Sequence, residues 1–133
     1  MKQNSQFMLI YLFTFILLVV YGKFRCENKD FKDPLEKRFF YEFDGWSVTH
    51  FTLYMVIGYL NPEKFVIATI FGILWELFEY YVMTFKPPIL NNYGLCDGIS
   101  TDKENTVWWY AKWTDILCNS LGFISGAYLK NKF

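Results

Sequence analysis

The sequence predicts an all-α integral membrane bundle of about four transmembrane helices, and three observations carry that reading. Apolar residues make up 53% of the 133 residues, and aromatic residues 23%. They gather into four stretches, Phe7–Gly22, Trp46–Leu60, Phe65–Phe85 and Val107–Leu129, the last interrupted by Lys112, Asp115 and Asn119. At about 1.5 Å of rise per residue, each suffices for a short or tilted crossing of a hydrocarbon core about 30 Å thick. Thirteen basic residues balance thirteen acidic ones, which removes the electrostatic case for a nucleic-acid partner.

Residues 1–22 read as an N-terminal transmembrane anchor. Lys2 ahead of an apolar run also fits a signal peptide, although the flank Tyr21-Gly22-Lys23-Phe24-Arg25 offers no small-x-small cleavage site. Residues 23–45 mix charge with aromatic side chains. Asp33-Pro34 is a helix-start signal, and Phe39, Phe40, Tyr41, Phe43 and Trp46 cluster before the second stretch, which suits a short interfacial helix with an aromatic belt. Residues 46–133 read as a three-helix membrane core carrying the site. Asn61-Pro62-Glu63-Lys64 is a tight turn inside it, Pro87-Pro88 stops the third helix, and Trp108-Trp109 begins the fourth.

Cys26 and Cys96 fall in the first and third connections, which an up-and-down topology places on one side. They are open to a disulfide if that side is oxidising, and equally to a free-thiol state. Those two connections hold eight Lys or Arg, against four in the N-terminus, second connection and C-terminus combined. The positive-inside rule then turns them toward the cytosol.

The most informative residues are Glu76 and Glu79, inside the third stretch. An ionisable group at membrane depth costs about 2–4 kcal/mol even on insertion scales, and persists mainly where it serves a site. Helical spacing puts Glu76 and Glu79 on one face, Asp115 and Asn119 on another, and His50 with Tyr54 on a third. Counted from their helix ends, Glu76, Glu79, Asp115, Asn119 and His50 converge in one leaflet. Carboxylates and an amide, with no buried arginine to neutralise them, suit a hard cation, Ca²⁺ or Mg²⁺, without excluding Mn²⁺. His50 beside such a cation has the chemistry of a general base. The competing reading pairs Glu76 and Glu79 with Lys112 in a structural salt-bridge network. Trp108, Trp109 and Trp113 read as interface anchors, and Gly122 with Gly126 as a close helix-packing surface.

Taken together, Asp44-Gly-Trp-Ser-Val-Thr-His50-Phe51, Trp75-Glu76-Leu77-Phe78-Glu79, and Trp108-Trp109 followed by Asp115-Ile-Leu-Cys-Asn119 and Gly122/Gly126 resemble the core of the eukaryotic-type, base-exchange phosphatidylserine synthases. The resemblance implies an enzyme, in the endoplasmic reticulum membrane, that replaces the choline or ethanolamine of a membrane phospholipid by L-serine with Ca²⁺. It implies His50 as the base, Asp44 as a group orienting His50 or the serine ammonium, and Glu76, Glu79, Asp115 and Asn119 as the cation's ligands. Family members are much larger, and their interval corresponding to Asp115–Asn119 is one residue longer. The same skeleton is similar to small VanZ-like membrane proteins, which suggests an amphiphile-binding protein. A non-catalytic accessory subunit of a larger membrane complex, or a homo-oligomer, stands as a further expectation.

Overall fold

The computed structural model describes residues 2–96 and 108–133. Four helices make up most of it: α1 (Lys2–Glu27), α2 (Gly45–Leu60), α3 (Phe65–Phe85) and α4 (Trp113–Lys132). Two of them, over Asn4–Glu27 and Pro62–Phe85, are long and apolar enough to cross a membrane. Much of their outer surface is bare hydrocarbon, with Leu9, Phe13, Val66 and Leu77 all more than half exposed.

α2 and α4 form the tightest pair, and glycine is the reason. A Cβ on Gly126 would stand 1.9 Å from the Met55 carbonyl oxygen, and one on Gly122 would stand 2.2 Å from that of Phe51. Gly58 answers from α2, where a Cβ would lie 2.2 Å from the Phe123 carbonyl oxygen. No side chain fits at these crossings, so the backbones touch, as expected for small residues at an apolar helix interface. Phe7, Tyr54, Ile57, Ala68 and Phe123 form the core beside that contact. α1 reaches this core through aromatic rings, Phe7 and Tyr11 meeting Phe71 at 5.8 and 5.0 Å.

The chain runs up and down. Lys64, between α2 and α3, bonds Asn4 near the start of α1, and Lys130 near the end of α4 lies over the Tyr59 ring. The opposite end gathers the two longer connections. There Cys26 and Cys96 form a disulfide across a sequence separation of 70, tying the last turn of α1 to the segment after α3.

Residues 23–45 are not an interfacial helix. α1 continues to Glu27, Pro34–Glu36 is a single 3-10 turn capped by Asp33, and Arg38–Phe40 (β1) pairs antiparallel with Phe43–Asp44 (β2). Internal partners decide this. Arg25 is fully buried against Glu36 and the Phe31 carbonyl, and Asp33 accepts from the Trp46 indole, so the segment folds onto the bundle end. The aromatic cluster is realised in part, Phe39, Phe40 and Tyr41 being exposed at the hairpin tip.

The fourth helix also starts later than the hydropathy suggests. Trp108–Lys112 is not helical, and α4 begins at Trp113. Trp108 and Trp109 are buried rather than exposed as interface anchors, packed with Val82 and against Trp75 and Phe78, and the Trp109 indole donates to the Tyr93 carbonyl. The two indoles are buried, the Trp109 N–H has its partner, and the chain stays non-helical through Lys112. Trp113 is exposed, as expected of an anchor. The expected start at Val107 and the turn at Asp97-Gly98 lie outside the described residues.

Candidate functional site

The site lies at the disulfide end, where α2 and α4 begin and α3 nears its close. Asp44 caps α2: its carboxylate accepts from the Ser47 N–H at 3.1 Å, and the Ser47 hydroxyl accepts from the Asp44 N–H in return. This capping box sets the first turn of α2 and aims His50, one turn on, toward α4.

His50 meets two residues of α4. Its Nδ1 lies 2.9 Å from Asn119 Oδ1, and its Nε2 lies 3.5 Å from Asp115 Oδ2. With a carbonyl oxygen as partner, Nδ1 carries the proton, so in the neutral ring the lone pair sits on Nε2. Room for Asn119 comes from Gly72 on α3, where a Cβ would stand 2.8 Å from the Asn119 amide nitrogen.

Lys112, immediately before α4, is the hub that the sequence leaves ambiguous. Its Nζ contacts Asp44 at 2.8 Å and Asp115 at 3.7 Å, and donates to the Glu42 carbonyl at 3.2 Å. Its backbone N–H donates to Glu76 Oε2 at 3.0 Å, a bond open only because residue 112 is extended rather than helical. The lysine network therefore exists, but its carboxylates are Asp44 and Asp115, while Glu76 takes the main-chain amide.

Glu76 is 6% exposed, and its Oε1 has no hydrogen-bond partner among the described residues. One ligand atom each from His50, Glu76 and Asp115 lie within 4.8 Å of one another, a spacing that a single ion bridges. Glu79 and Asn119 line the same cavity. Of the six residues singled out from the sequence, His50, Glu79, Asp115 and Asn119 line one cavity, and Glu76 reaches His50 and Asp115 through the ligand-distance cluster. Asp44 stands behind it, with its contacts going to Ser47 and Lys112 rather than to His50. Asn119 spends its amide oxygen on the imidazole, which makes it an orienting group in this arrangement. The only buried arginine among the described residues, Arg25, lies with Glu36 and leaves these carboxylates alone.

The cavity holds about 480 Å³ and is mostly apolar away from its carboxylate end. Its walls come from α1 (Met8, Leu12, Phe15, Leu18), α3 (Leu74, Trp75, Phe78) and the Trp108-Trp109 pair. The contribution of α1 is invisible in the sequence, because nothing in its uniform hydropathy marks an inward face. Ser47 was legible in principle, as the third residue after a capping aspartate.

The fold and site define a helical bundle with a half-buried histidine beside buried carboxylates at one end of an apolar cavity. Comparison with family models, curated proteins and solved structures yields no match.

Proposed function

We propose that the chain is an integral membrane enzyme of phospholipid head-group exchange, in which the hydroxyl of L-serine displaces choline or ethanolamine from a phosphodiester. The observation that carries the proposal is the His50 imidazole, held through Nδ1 by Asn119 with Nε2 turned toward buried carboxylates at the mouth of an apolar cavity. A bilayer explains the exposed hydrocarbon of α1 and α3, since soluble monomers rarely show contiguous apolar surface on that scale.

His50 Nε2 accepts the proton of the serine hydroxyl as its oxygen forms a bond to phosphorus. Asp115 then stabilises the imidazolium. The phosphorus–oxygen bond to choline or ethanolamine breaks, and the same proton passes from Nε2 to the departing alcohol. The apolar walls between α1 and α3 hold the acyl chains at the depth that brings the phosphodiester to His50.

A divalent cation fits the residues present: Glu76 and Asp115 supply hard oxygens at ligand distance beside His50, and Glu76 Oε1 is buried without a protein partner among the described residues. Ca²⁺ suits that donor set, with Mg²⁺ or Mn²⁺ as substitutes. When bound, the ion supplies Lewis-acid polarisation of a phosphoryl oxygen.

A second reading has its own observation in its favour. Lys112, 4% exposed, neutralises Asp44 and leans on Asp115, as a purely structural network requires. On that reading the chain is a non-catalytic bundle, an accessory subunit or a VanZ-like amphiphile binder.

Incorporation of labelled serine into phosphatidylcholine–phosphatidylethanolamine liposomes by the purified chain, with Ca²⁺ or chelator, separates the two. Calcium-dependent labelling that disappears in His50→Ala is the expected result. Folded protein that labels nothing moves the assignment to the non-catalytic reading.

A further inference from the structure

We propose that the end of the bundle carrying His50, Glu76 and Asp115 faces an oxidising compartment, so that the site draws its alcohol and its cation from the non-cytosolic side and works on that leaflet. The identity of the alcohol rests on head-group exchange; the sidedness rests on observations of its own.

The first is covalent. Cys26 and Cys96 lie in different connections, yet they meet as a disulfide, while Cys118 stays free and buried in α4. Disulfides persist where the compartment is oxidising and are rare in the cytosol.

The second is location. The disulfide belongs to the scaffold of the site itself. The Gly94 N–H points at Cys26 Sγ from 3.2 Å, and Gly94, at φ 108°, is packed so closely that a Cβ would stand 2.5 Å from the Trp108 ring. Trp108 and Trp109 wall the cavity, and three residues on, Lys112 holds Glu76. Disulfide and carboxylates therefore share one side of the membrane.

Charge pulls the other way. The opposite end carries Lys2, Lys64, Lys130 and Lys132 with Glu63 as its one acid. The disulfide end carries more, seven Lys or Arg with six acids among the described residues of the first and third connections, and Arg25 and Lys23 lie within α1 beside Glu36 and Glu27. The bare Lys/Arg count points this end to the cytosol. That count is an insertion bias, whereas a persistent disulfide is a chemical requirement.

The test counts thiols on the full chain carrying Cys118→Ser in sealed, cytosol-side-out microsomes, using a membrane-impermeant mass-tagged maleimide. No tag is expected without reductant. An impermeant phosphine should yield none while vesicles are sealed, and two per chain once they are permeabilised. The unsubstituted chain serves as a second count, with Cys118 adding one tag only after denaturation. Tags in sealed vesicles, or tags without reductant after permeabilisation, overturn the proposal. Neither count depends on turnover, so a chain that passes here and labels no lipid keeps its sidedness and loses its assigned chemistry.

Discussion

The backbone amide of Lys112 donates to Glu76 Oε2 at 3.0 Å, joining the residue just before α4 to a carboxylate in the body of α3. Two helices distant in sequence are thereby locked in register by a bond that asks for an acceptor oxygen and not for a charge.

Glu76→Gln should therefore be nearly neutral for folding, because a glutamine carbonyl accepts the same amide, while divalent-cation affinity falls at least about tenfold with the loss of a ligand charge. Thermal unfolding in detergent and calcium titration check the two halves. A large drop in melting temperature with unchanged titration would assign Glu76 to structure alone.

His50→Ala should lower serine incorporation by about 10²–10⁴-fold, the usual contribution of a general base. Stability should change far less than turnover, because the partners of the imidazole on α4 are the side chains of Asn119 and Asp115, which keep other partners or reach the cavity when the ring is gone. Asn119→Ala should reduce turnover less, since it frees the ring without removing it.

Lys112→Met is expected to cost about 3–5 kcal/mol, because it strands the fully buried Asp44 carboxylate. Adding Asp44→Asn should recover much of that loss, as asparagine still caps α2 without needing a counter-ion. A double-mutant cycle on thermal stability reads the coupling directly. Additive effects would mean that the pair does not interact as its 2.8 Å separation implies.

Gly126→Ala forces a methyl into a backbone oxygen that no rotamer can move, since the Cβ would sit 1.9 Å from Met55 O. Overpacking of this kind costs about 1–3 kcal/mol, and here should also part α2 from α4 and slacken the His50–Asn119 contact. Folded yield and turnover should fall together. A control at Ser125, whose hydroxyl makes an exposed bond to Leu121 of its own helix, should be silent.

Cys96→Ser removes a crosslink that closes a loop of 70 residues, for which chain entropy gives about 4 kcal/mol. The loss should fall first on α1, which the disulfide ties down at its last turn, so limited proteolysis should release the segment near Glu27 before the α2–α4 pair melts.

The number of helices, their order, the turn at Asn61-Pro62 and the end of α3 at Lys86 were legible because each depends on local chemistry: hydropathy over a turn or more, proline, and a left-handed cap at φ 48°. The meeting of His50, Glu76, Asp115 and Asn119 was legible too, since helical spacing and depth are arithmetic on residue numbers. Three things were decided only by the packed chain. Trp108 and Trp109 are apolar in either setting, and only their burial against Trp75 and Phe78 unwinds residues 108–112. Asp44 has many cations within reach along the sequence, and only the docking of α4 gives it Lys112 rather than the imidazole. Cys26 and Cys96 were open to either state until α1 and the segment after α3 met at one end. Residue identity and helical spacing set which groups exist and which helix face each occupies; long-range packing decided which charges neutralise one another, because a buried carboxylate takes the nearest donor that the assembled helices present.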